Sequence, residues 1–424
     1  MSIGLSFRLG WRSFLRHKRR SIITGVAISL SLALMLFSVA FSKGAHESYI
    51  RQGVRLGSGH VVIQGKGYQQ EQTLDYLVPD PRRVEALARK VPGVRLVATR
   101  LRAEALISAG EHSAAIGVTG VDPKAEKLAS DLPAKLKAGA YLRPRAAVHK
   151  GVPADIFIGV KLAKKLEVEL GDRVVLTVAP RRGGKTRAAA FRVRGLFRSG
   201  VAELDAFYAE IPIAEARRLL EVNGAATQVA ILLSSQDASR ATAKALQSQL
   251  AAAGGDSGKL EVLPWQVAIR ELYDGLVLDK GSMYVMLGVI FLIIVIGIFN
   301  TMLMSVIERT RELGVMMAIG TSRGRLFSIV LAEATVLGLV SSAVGLAMGY
   351  GAHSWLAATG LDIGKLAGDM EFAGVAATGM VYSQMTTTTL WGWPAAMIVL
   401  VLLSALYPAY RATRLSPVDA MRHV

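Results

Sequence analysis

The residues whose spacing most resembles a catalytic motif are Gly183-Gly184-Lys185-Thr186, which end like a phosphate-binding loop. Such a loop needs another glycine five residues before the one that precedes the lysine, and Ala179 stands at that position. The spacing therefore favours a solvated hairpin loop over a nucleotide site. None of the seven histidines pairs with another histidine or a carboxylate at metal-ligand spacing, and no serine or aspartate lies in a nucleophile motif. The sequence thus predicts neither a catalytic constellation nor a metal site.

The segment Glu308–Gly320 has a composition that suits binding to another protein. Charges of both signs are followed directly by apolar side chains, at Glu308, Arg309, Arg311, Glu312, Leu313, Val315, Met316 and Met317. Such a mixture suits docking into a groove on a partner protein. We therefore expect this segment to contact a partner, rather than to be a loop that is merely solvated.

The apolar segment that follows carries two further candidates. Glu333 lies well inside it, and a carboxylate there is a candidate proton relay or a hydrogen-bonding group between helices. Because Glu333 is only about two turns from Arg325, at roughly 1.5 Å per residue, we expect a structural role. Ser341, Gly345 and Gly349 recur four residues apart, and small residues at this spacing let helices pack closely. We expect this face to pack within the chain rather than at a dimer seam.

Four segments are apolar and long enough to cross a bilayer as helices, which takes about 20 residues each. They are residues 21–42, 283–307, 326–350 and 393–410. In the fourth, Pro394 suits a first helical turn and Pro408 is expected to mark the exit. The only rival, residues 372–390, is more polar because it contains Thr, Ser and Gln.

Lysine and arginine indicate the orientation, because they are enriched in short cytoplasmic segments of membrane proteins. Six precede the first span, four follow the second and three lie in the tail, against three acidic residues in these segments. Both termini are therefore predicted in the cytoplasm. The cytoplasmic parts would be an amphipathic interfacial helix at 1–20, a coupling helix and turn at 308–325, and a tail at 411–424. The first apolar run, of about 22 residues, is too long for a signal-peptide core, so we expect an uncleaved anchor.

The predicted outer side holds a large domain at 43–282 and a loop at 351–392. Two β-α-β patterns, one at each end of the large domain, predict a split α/β sandwich formed by 43–150 and 223–282, with an inserted mostly-β module at 151–222. The chain has no cysteine, so this domain needs an ordinary apolar core instead of disulfides. The polar helix predicted over 265–280 leads into the second span with only Gly281 as a break. The net charge of +18 is dispersed over a chain with four spans, so no nucleic-acid partner is expected.

The segment SVIERTRELGVMMAIGTSRGRL (Ser305–Leu326) resembles the coupling segment of the FtsX-like permeases, which include the MacB exporters and the lipoprotein-releasing LolC/LolE permeases. The ending LSPVDAMR (Leu415–Arg422) is similar to the same family's C-terminal motif. The resemblance implies an α-helical membrane protein with four transmembrane helices plus a large α+β periplasmic domain, in the bacterial inner membrane. It implies a non-catalytic subunit that dimerises with a second copy or a paralogue. The residues that would contact a cytoplasmic ABC ATPase dimer are Glu308, Arg309, Thr310, Arg311, Glu312, Leu313 and Gly314.

In this family ATP and Mg are bound by the partner ATPase, so no cofactor is expected on this chain. The runs Ile158–Leu176 and Phe191–Leu220 look like the corresponding regions of the lipoprotein-releasing permeases. The resemblance therefore implies extraction of lipoproteins from the outer leaflet of the inner membrane, by a stroke that the ATPase transmits. The acyl chains would enter from the surrounding membrane lipids, between the first and second spans. There they would contact Leu36, Phe37, Met286 and Ile290.

One departure from the family pattern concerns a loop that recruits a periplasmic lipoprotein carrier in one of these permeases. Here the matching loop, 180–188, is short and strongly basic, with Arg181, Arg182, Lys185 and Arg187 as candidate carrier contacts. Two other functions stay open: a MacB-like, adaptor-linked exporter of peptides, toxins or macrolides, and a regulatory transmembrane module that activates a periplasmic enzyme. A co-purifying adaptor would favour the exporter, and a co-purifying hydrolase the regulatory module.

Overall fold

Long helices contain most of the apolar sequence. The computed structural model describes residues 18–144, 153–179, 185–254, 258–364, 371–373, 375–376 and 380–414. The predicted interfacial helix and the C-terminal motif fall largely outside these residues. In chain order the described α-helices are α1 (Lys18–Leu56), α2 (Tyr68–Glu71), α3 (Pro81–Ala88), α4 (Pro123–Ala129), α5 (Val160–Leu166), α6 (Ala202–Phe207), α7 (Ile213–Leu219), α8 (Ser239–Ala252), α9 (Trp265–Ala268), α10 (Arg270–Glu308), α11 (Thr310–Ala318), α12 (Arg323–Thr359) and α13 (Thr387–Thr413).

Four of these helices, α1, α10, α12 and α13, are long and apolar enough to cross a membrane. Each contains one of the four predicted spans, which confirms the prediction of four candidate membrane helices. Helix α10 begins at Arg270 and continues through Gly281, so the predicted break at Gly281 is absent. The polar helix predicted over 265–280 is instead interrupted at Ile269, which leaves the helical conformation with φ −121° and ψ 63° and separates α9 from α10.

The start of the fourth membrane helix differs from the prediction. The side chain of Thr386 accepts a hydrogen bond from the backbone N–H of Thr389 and so caps a helix that begins at Thr387. Pro394 and Pro408 therefore both lie inside α13, not at its ends. The prediction was wrong here because the polar threonines were assigned to the preceding loop.

The chain divides into two compact units, a helical unit and an α/β unit. The helical unit comprises Met1–Glu47, Leu278–Asp362 and Met380–Val424, and the α/β unit comprises Ser48–Val277 and Ile363–Gly379. In the helical unit the small-residue face of α12 packs on α1. A Cβ at Gly345 would lie 2.7 Å from the backbone oxygen of Ser29, and the Ser29 hydroxyl donates to the backbone oxygen of Ser341 at 2.9 Å. This confirms the prediction that the face packs within the chain.

The main strands belong to the α/β unit, and short two-residue strands accompany them. In chain order the described strands are β1 (Val61–Gly65), β2 (Val94–Ala109), β3 (His112–Val121), β4 (Leu136–Gly139), β5 (Ala154–Gly159), β6 (Arg173–Val178), β7 (Arg187–Phe197), β8 (Tyr208–Pro212), β9 (Gln228–Leu233), β10 (Leu260–Pro264), β11 (Leu361–Asp362), β12 (Glu371–Phe372), β13 (Val375–Ala376) and β14 (Met380–Val381).

The first and last β-α-β patterns combine into one four-stranded sheet with the order β10-β1-β9-β2. Strand β1 pairs antiparallel with both β9 and β10, and β9 pairs antiparallel with the first part of β2. The apolar residues of α3 and α8 share one core with those of the sheet, including Val84, Leu246 and Ile231. Two halves that are distant in sequence therefore build one layer, which confirms the predicted split sandwich.

Six strands form a closed ring, with β2 and β3 from the first half and β5 to β8 from the residues between the two halves. Successive pairs are β2 with β3, β3 with β8, β8 with β5, β5 with β7, β7 with β6, and β6 again with β2. Ile107, Ile156, Leu176 and Phe191 belong to its apolar core. Strands β5 to β8 lie within the predicted mostly-β insert, 151–222, but β2 and β3 belong to residues 43–150. The predicted boundary of the insert was therefore wrong, because the barrel includes two strands of the first half.

Strand β2 joins the sheet to the barrel. Taken alone, the sequence patterns of residues 95–99 and 104–108 predict two short strands, whereas the structure has one strand of 16 residues. Neither glycine nor proline interrupts the intervening residues, and Arg100 to Ala103 pair in register with β3. The alternation of polar Arg100 and Arg102 with Leu101 and Ala103 therefore continues as a single strand.

Candidate functional site

The predicted coupling segment forms a short helix of its own. Helix α10 ends at Glu308, Arg309 leaves the helical conformation with φ −102° and ψ 15°, and α11 begins at Thr310. Gly320, which follows α11, has φ +94°, a left-handed conformation that glycine adopts without strain. The charged run is thus an element held between two long helices.

Arg309 connects this element to the third membrane helix. Its Nη1 lies 2.9 Å from Glu333 Oε2, and its Nε lies 3.2 Å from Glu312 Oε2. The side chains of Arg309 and Glu333 are only 17% and 13% exposed. A carboxylate in an apolar helix is costly unless it is paired, and this ion pair accounts for Glu333. The geometry supports a structural role for Glu333.

The two faces of α11 differ in exposure. Leu313 and Gly314 are buried, and Leu313 belongs to the apolar core of the helical unit. Arg311 and Glu312 are exposed, together with Val315 at 45% and Ile319 at 79% exposure. An exposed surface with both charge signs and two aliphatic side chains is suited to a protein partner. We call this set, Arg311, Glu312, Val315 and Ile319, the coupling face.

The seven predicted ATPase contacts are therefore not equivalent. Arg309 holds α11 in place through its ion pair with Glu333, and Leu313 and Gly314 are buried. The hydroxyl of Thr310 donates hydrogen bonds to backbone oxygens of α10. Sequence reasoning missed Ile319 as a site residue, although its position four residues after Val315 on a helical pattern is a usable signal. Contact of this segment with an ATPase stays a prediction.

The four residues predicted to meet acyl chains lie on α1 and α10. Leu36 is fully buried, Phe37 is half-buried and stacks on Phe41 at 6.1 Å, Ile290 is half-buried, and Met286 is 47% exposed. Leu36 and Ile290 pack in the same apolar core. Their role as a substrate cavity stays a prediction.

An ion pair links the same two helices. His46 Nε2 on α1 lies 2.6 Å from Asp279 Oδ2 on α10, and Ser42 Oγ is 3.4 Å from the same nitrogen. Because both contacts use one ring nitrogen, the arrangement differs from a hydrolase triad, in which the base uses both nitrogens. It is a cross-link between α1 and α10.

The predicted basic loop, 180–188, connects β6 to β7 in sequence. Strands β6 and β7 pair antiparallel up to Val178 and Arg187, which confirms the hairpin expected in place of a phosphate-binding loop. Arg181 and Arg182 lie outside the described residues. Lys185 and Arg187 are exposed, and Arg187 forms an ion pair with Glu221. Carrier binding by this loop stays a prediction.

A buried polar network in the α/β unit was not predicted from the sequence. Arg100 donates to Glu126 Oε1 at 2.6 Å and to the backbone oxygen of Gly57, just after the end of α1. Tyr141 donates its hydroxyl hydrogen bond to Glu210 Oε2 at 2.8 Å. Burial, reinforced by the charge of Glu126, raises the pKa of Glu210 to about 8. These groups come from segments far apart in sequence, so no local pattern signals them.

Similarity to known families covers both units. Residues 21–249 match the family described as the MacB-like periplasmic core domain, and residues 284–417 match the C-terminal part of the FtsX-like permeases. The first match alone includes more than half of the chain.

Individual relatives come from more than one kind of transporter. The lipoprotein-releasing system transmembrane protein LolC of Xylella fastidiosa (strain 9a5c) is 25% identical over 440 residues, 99% of each chain. The macrolide export ATP-binding/permease protein MacB of Rhodopirellula baltica is 34% identical over 151 residues, 33% of this chain and 18% of that protein. The crystal structure of the periplasmic region of MacB from Actinobacillus actinomycetemcomitans aligns with a TM-score of 0.36 at 14% identity, over 51% of this chain and 94% of that one.

Proposed function

Because the chain belongs to the FtsX-like permeases with a MacB-like core domain, which are membrane subunits of ABC transporters, we propose that it releases lipoproteins from a bacterial inner membrane. The observation that carries this proposal is the similarity to LolC along 99% of both chains, membrane helices and external domain alike. The similarity to MacB, by contrast, extends over 33% of this chain.

In the proposed mechanism the coupling face binds a cytoplasmic ATPase dimer that holds ATP and Mg, and two permease subunits form the membrane part. Both termini lie in the cytoplasm and the α/β unit lies in the periplasm. The mixed charges of Arg311 and Glu312, with exposed Val315 and Ile319, supply the contact area. The nearly buried ion pair between Arg309 and Glu333 supports transmission, because a displacement of α11 would then also pull on α12.

The lipid-modified substrate enters between α1 and α10 from the outer leaflet. Moving acyl chains out of the membrane costs about 0.8 kcal/mol per CH₂ group, so release needs an energy source such as ATP hydrolysis. A periplasmic carrier that shields the acyl chains is the natural acceptor. The His46–Asp279 ion pair lies between α1 and α10, so we expect it to open when substrate enters.

The test is to deplete the protein, separate inner from outer membranes, and quantify the lipoproteins in each fraction by mass spectrometry. Broad retention of lipoproteins in the inner membrane supports the proposal. An unchanged distribution contradicts it.

A second candidate function is adaptor-linked export from the periplasm. It is favoured by the 34% identity to the MacB of Rhodopirellula baltica over 151 residues. Affinity purification of the tagged chain distinguishes the two, because an exporter would recover a periplasmic adaptor, whereas a lipoprotein-releasing permease would recover lipoproteins or their carrier.

A further inference from the structure

The α/β unit contains a cavity of about 880 Å³ that the proposed transport function does not use. It lies along one side of β2 and β3 and includes residues of α6 and the end of α1 in its lining. Binding pockets for small molecules typically measure about 300–1,000 Å³. The cavity is therefore large enough for a ligand with both a polar and an apolar part.

Three buried polar atoms that line this cavity have no hydrogen-bond partner among the described residues. They are Ser58 Oγ, Arg102 Nε and Gln228 Oε1. Ser58 and Gln228 are only 6% and 5% exposed. A buried polar group without a partner is costly. Ser58 Oγ and Arg102 Nε can both donate to a bound acceptor, whereas Gln228 Oε1 accepts and needs a donor. The two donors indicate a ligand that presents an acceptor to them.

Arg102 determines the charge of that ligand. Its neighbour in β2, Arg100, is paired with Glu126, whereas Arg102 forms no ion pair within the described part of the chain. Within the described residues, its Nη2 donates a hydrogen bond to the backbone oxygen of Gly57 at 3.4 Å. Arg102 is half-buried, and its Nε is shielded from solvent. A carboxylate or phosphate that accepts from Nε would supply both the missing hydrogen bond and a counter-ion.

Two carboxylates, Glu104 and Glu271, also line the cavity. Both are exposed, so water and salt screen their charges, whereas Arg102 Nε is shielded from solvent. Beside Arg102, the positive charge of the guanidinium therefore outweighs the screened charges of the two carboxylates, and this part of the cavity favours an anion.

The rest of the lining is apolar. Leu56, Leu204, Phe207 and Ile269 border the cavity, and Phe207 is 49% exposed although it is a large aromatic side chain. An aliphatic chain placed along these residues would cover them. Ligand pockets commonly combine such an apolar lining with a few polar groups that fix the orientation.

We propose that this cavity binds a small anionic amphiphile, with a carboxylate or phosphate head group against Arg102 and Ser58 and a hydrocarbon tail against Leu204, Phe207 and Ile269. The head group comes either from a free fatty acid or from a phospholipid. Such a site would let lipid metabolites in the periplasm act on the external domain, independently of the transported substrate.

The experiment uses the full-length protein in lipid nanodiscs and octanoate fluorinated at its terminal methyl group as the probe. Fluorine NMR line broadening, corrected with empty nanodiscs, reports saturable binding. Octanoate and octyl phosphate should displace the probe, and uncharged octanol should not. Stronger displacement by octyl phosphate assigns the site to phospholipid head groups, and stronger displacement by octanoate assigns it to free fatty acids.

Two variants test the site independently. Arg102→Gln should weaken probe binding by about tenfold or more, because it removes the charge-assisted hydrogen bond. Gly117→Leu should abolish binding, because Gly117 lines the cavity and a Cβ there meets nothing closer than 3.9 Å, so the leucine fills the space without a backbone clash. The matched control Arg192→Gln, at an exposed position of β7 in the same barrel, should bind as tightly as the unmodified protein.

The proposal is overturned if octanol competes as well as octanoate, or if the probe binds Arg102→Gln and Gly117→Leu with unchanged affinity. Circular dichroism and size-exclusion profiles of each variant establish that loss of binding is not loss of fold. Lipoprotein release in cells is measured separately, so failure here leaves the proposed transport function untouched.

Discussion

Arg309 shows how a single residue converts a charged run into a positioned element. Its guanidinium is shared between Glu312 on α11 and Glu333 on α12, at 3.2 and 2.9 Å. The sequence places Arg309 among the predicted partner contacts, but its side chain is turned towards its own chain. The neighbouring Arg311 is exposed and is the better candidate for a partner contact.

We predict that Glu333→Leu lowers the thermal stability of the protein in nanodiscs, because the nearly buried cation of Arg309 then loses its partner carboxylate. The double variant Arg309→Met/Glu333→Leu should recover part of the loss, with a coupling energy of about 1–3 kcal/mol in a double-mutant cycle. The measurement is the thermal midpoint of all four proteins. Strictly additive effects of the two substitutions would show that the pair contributes nothing.

Glu210 predicts a pH dependence for the α/β unit. Its pKa is raised to about 8 from a usual value near 4.5, so the folded state binds its proton more tightly than the unfolded state does. The contribution of Glu210 to the free energy of unfolding is therefore largest below about pH 4.5 and decreases as the pH rises to about 8. Above about pH 8 it no longer changes. Glu126, Tyr141, Tyr208 and Arg100 surround the group and modulate the size of the effect.

We expect Glu210→Gln to flatten the decrease in stability between pH 5 and pH 8, because glutamine keeps a neutral side chain at every pH. Denaturant unfolding of the full chain at pH 5, 7 and 9, followed by circular dichroism, provides the measurement. Glu203→Gln, at an exposed position of α6, is the control and should retain the original pH profile. An identical pH profile in Glu210→Gln would refute the raised pKa.

At the level of elements, α11 presents one face to the helical unit and the opposite face to solvent. Because of this division, residues of the coupling face can be substituted without loss of the fold. Surface substitutions away from buried features usually alter stability by less than about 0.5 kcal/mol. Effects on function and on stability should therefore separate in this helix.

Arg311→Ala/Glu312→Ala should uncouple ATP hydrolysis from lipoprotein release while the protein still inserts into the membrane. The thermal midpoint should fall only slightly, because Arg309 loses Glu312 but keeps its ion pair with Glu333. Reconstituted release of a labelled lipoprotein, measured beside phosphate production, tests this. The control pair Arg270→Ala/Asp274→Ala removes an exposed ion pair of opposite charges from α10 and should leave both rates unchanged. Normal release by the α11 variant would exclude these two residues from the docking contact.

The packing of α12 on α1 gives a second prediction at this scale. Gly345→Ala should destabilise the helical unit by about 1–3 kcal/mol, because the new Cβ would lie 2.7 Å from the backbone oxygen of Ser29. Gly351→Ala in the same helix is the control, since a Cβ there meets nothing within 4 Å. Thermal midpoints that fall equally in both variants would point to a general effect of replacing glycine.

The elements most accurately predicted from the sequence are those with a strong periodic or compositional signal. The four spans and the split β-α-β pattern depend on runs of apolar residues and on helix starts such as Asp80-Pro81, whose aspartate caps α3. The start of α13 was missed because threonines give little local signal until Thr386 is seen to cap the helix. The cavity beside Arg102 could not be predicted, because Ser58 and Gln228, which also line it, are far away in sequence.

For the molecule as a whole, the continuity of α10 matters most. This helix of 39 residues contains part of the α/β unit and part of the helical unit, since the division between them falls at Val277 and Leu278. We predict that Gly281→Pro reduces coupled release while ATP hydrolysis continues, because proline removes a helical hydrogen bond and costs about 3 kcal/mol in a helix interior. Gly281→Ala, with open space around the new Cβ, is the control. Full release activity of the proline variant would mean that a continuous α10 is unnecessary.

The split sheet also has a consequence for biogenesis. Among the described strands, β1 pairs with β9 and β10, and β9 begins at Gln228, 163 residues after β1 ends at Gly65. At a synthesis rate of about 5–20 residues per second, roughly 8–30 s pass between the synthesis of β1 (VVIQG) and that of β9, its first pairing partner. During that interval an unpaired strand edge is open to association with other nascent chains. The emerging domain is therefore a client for chaperones until β9 has arrived, and its yield should depend on them more than its final stability suggests.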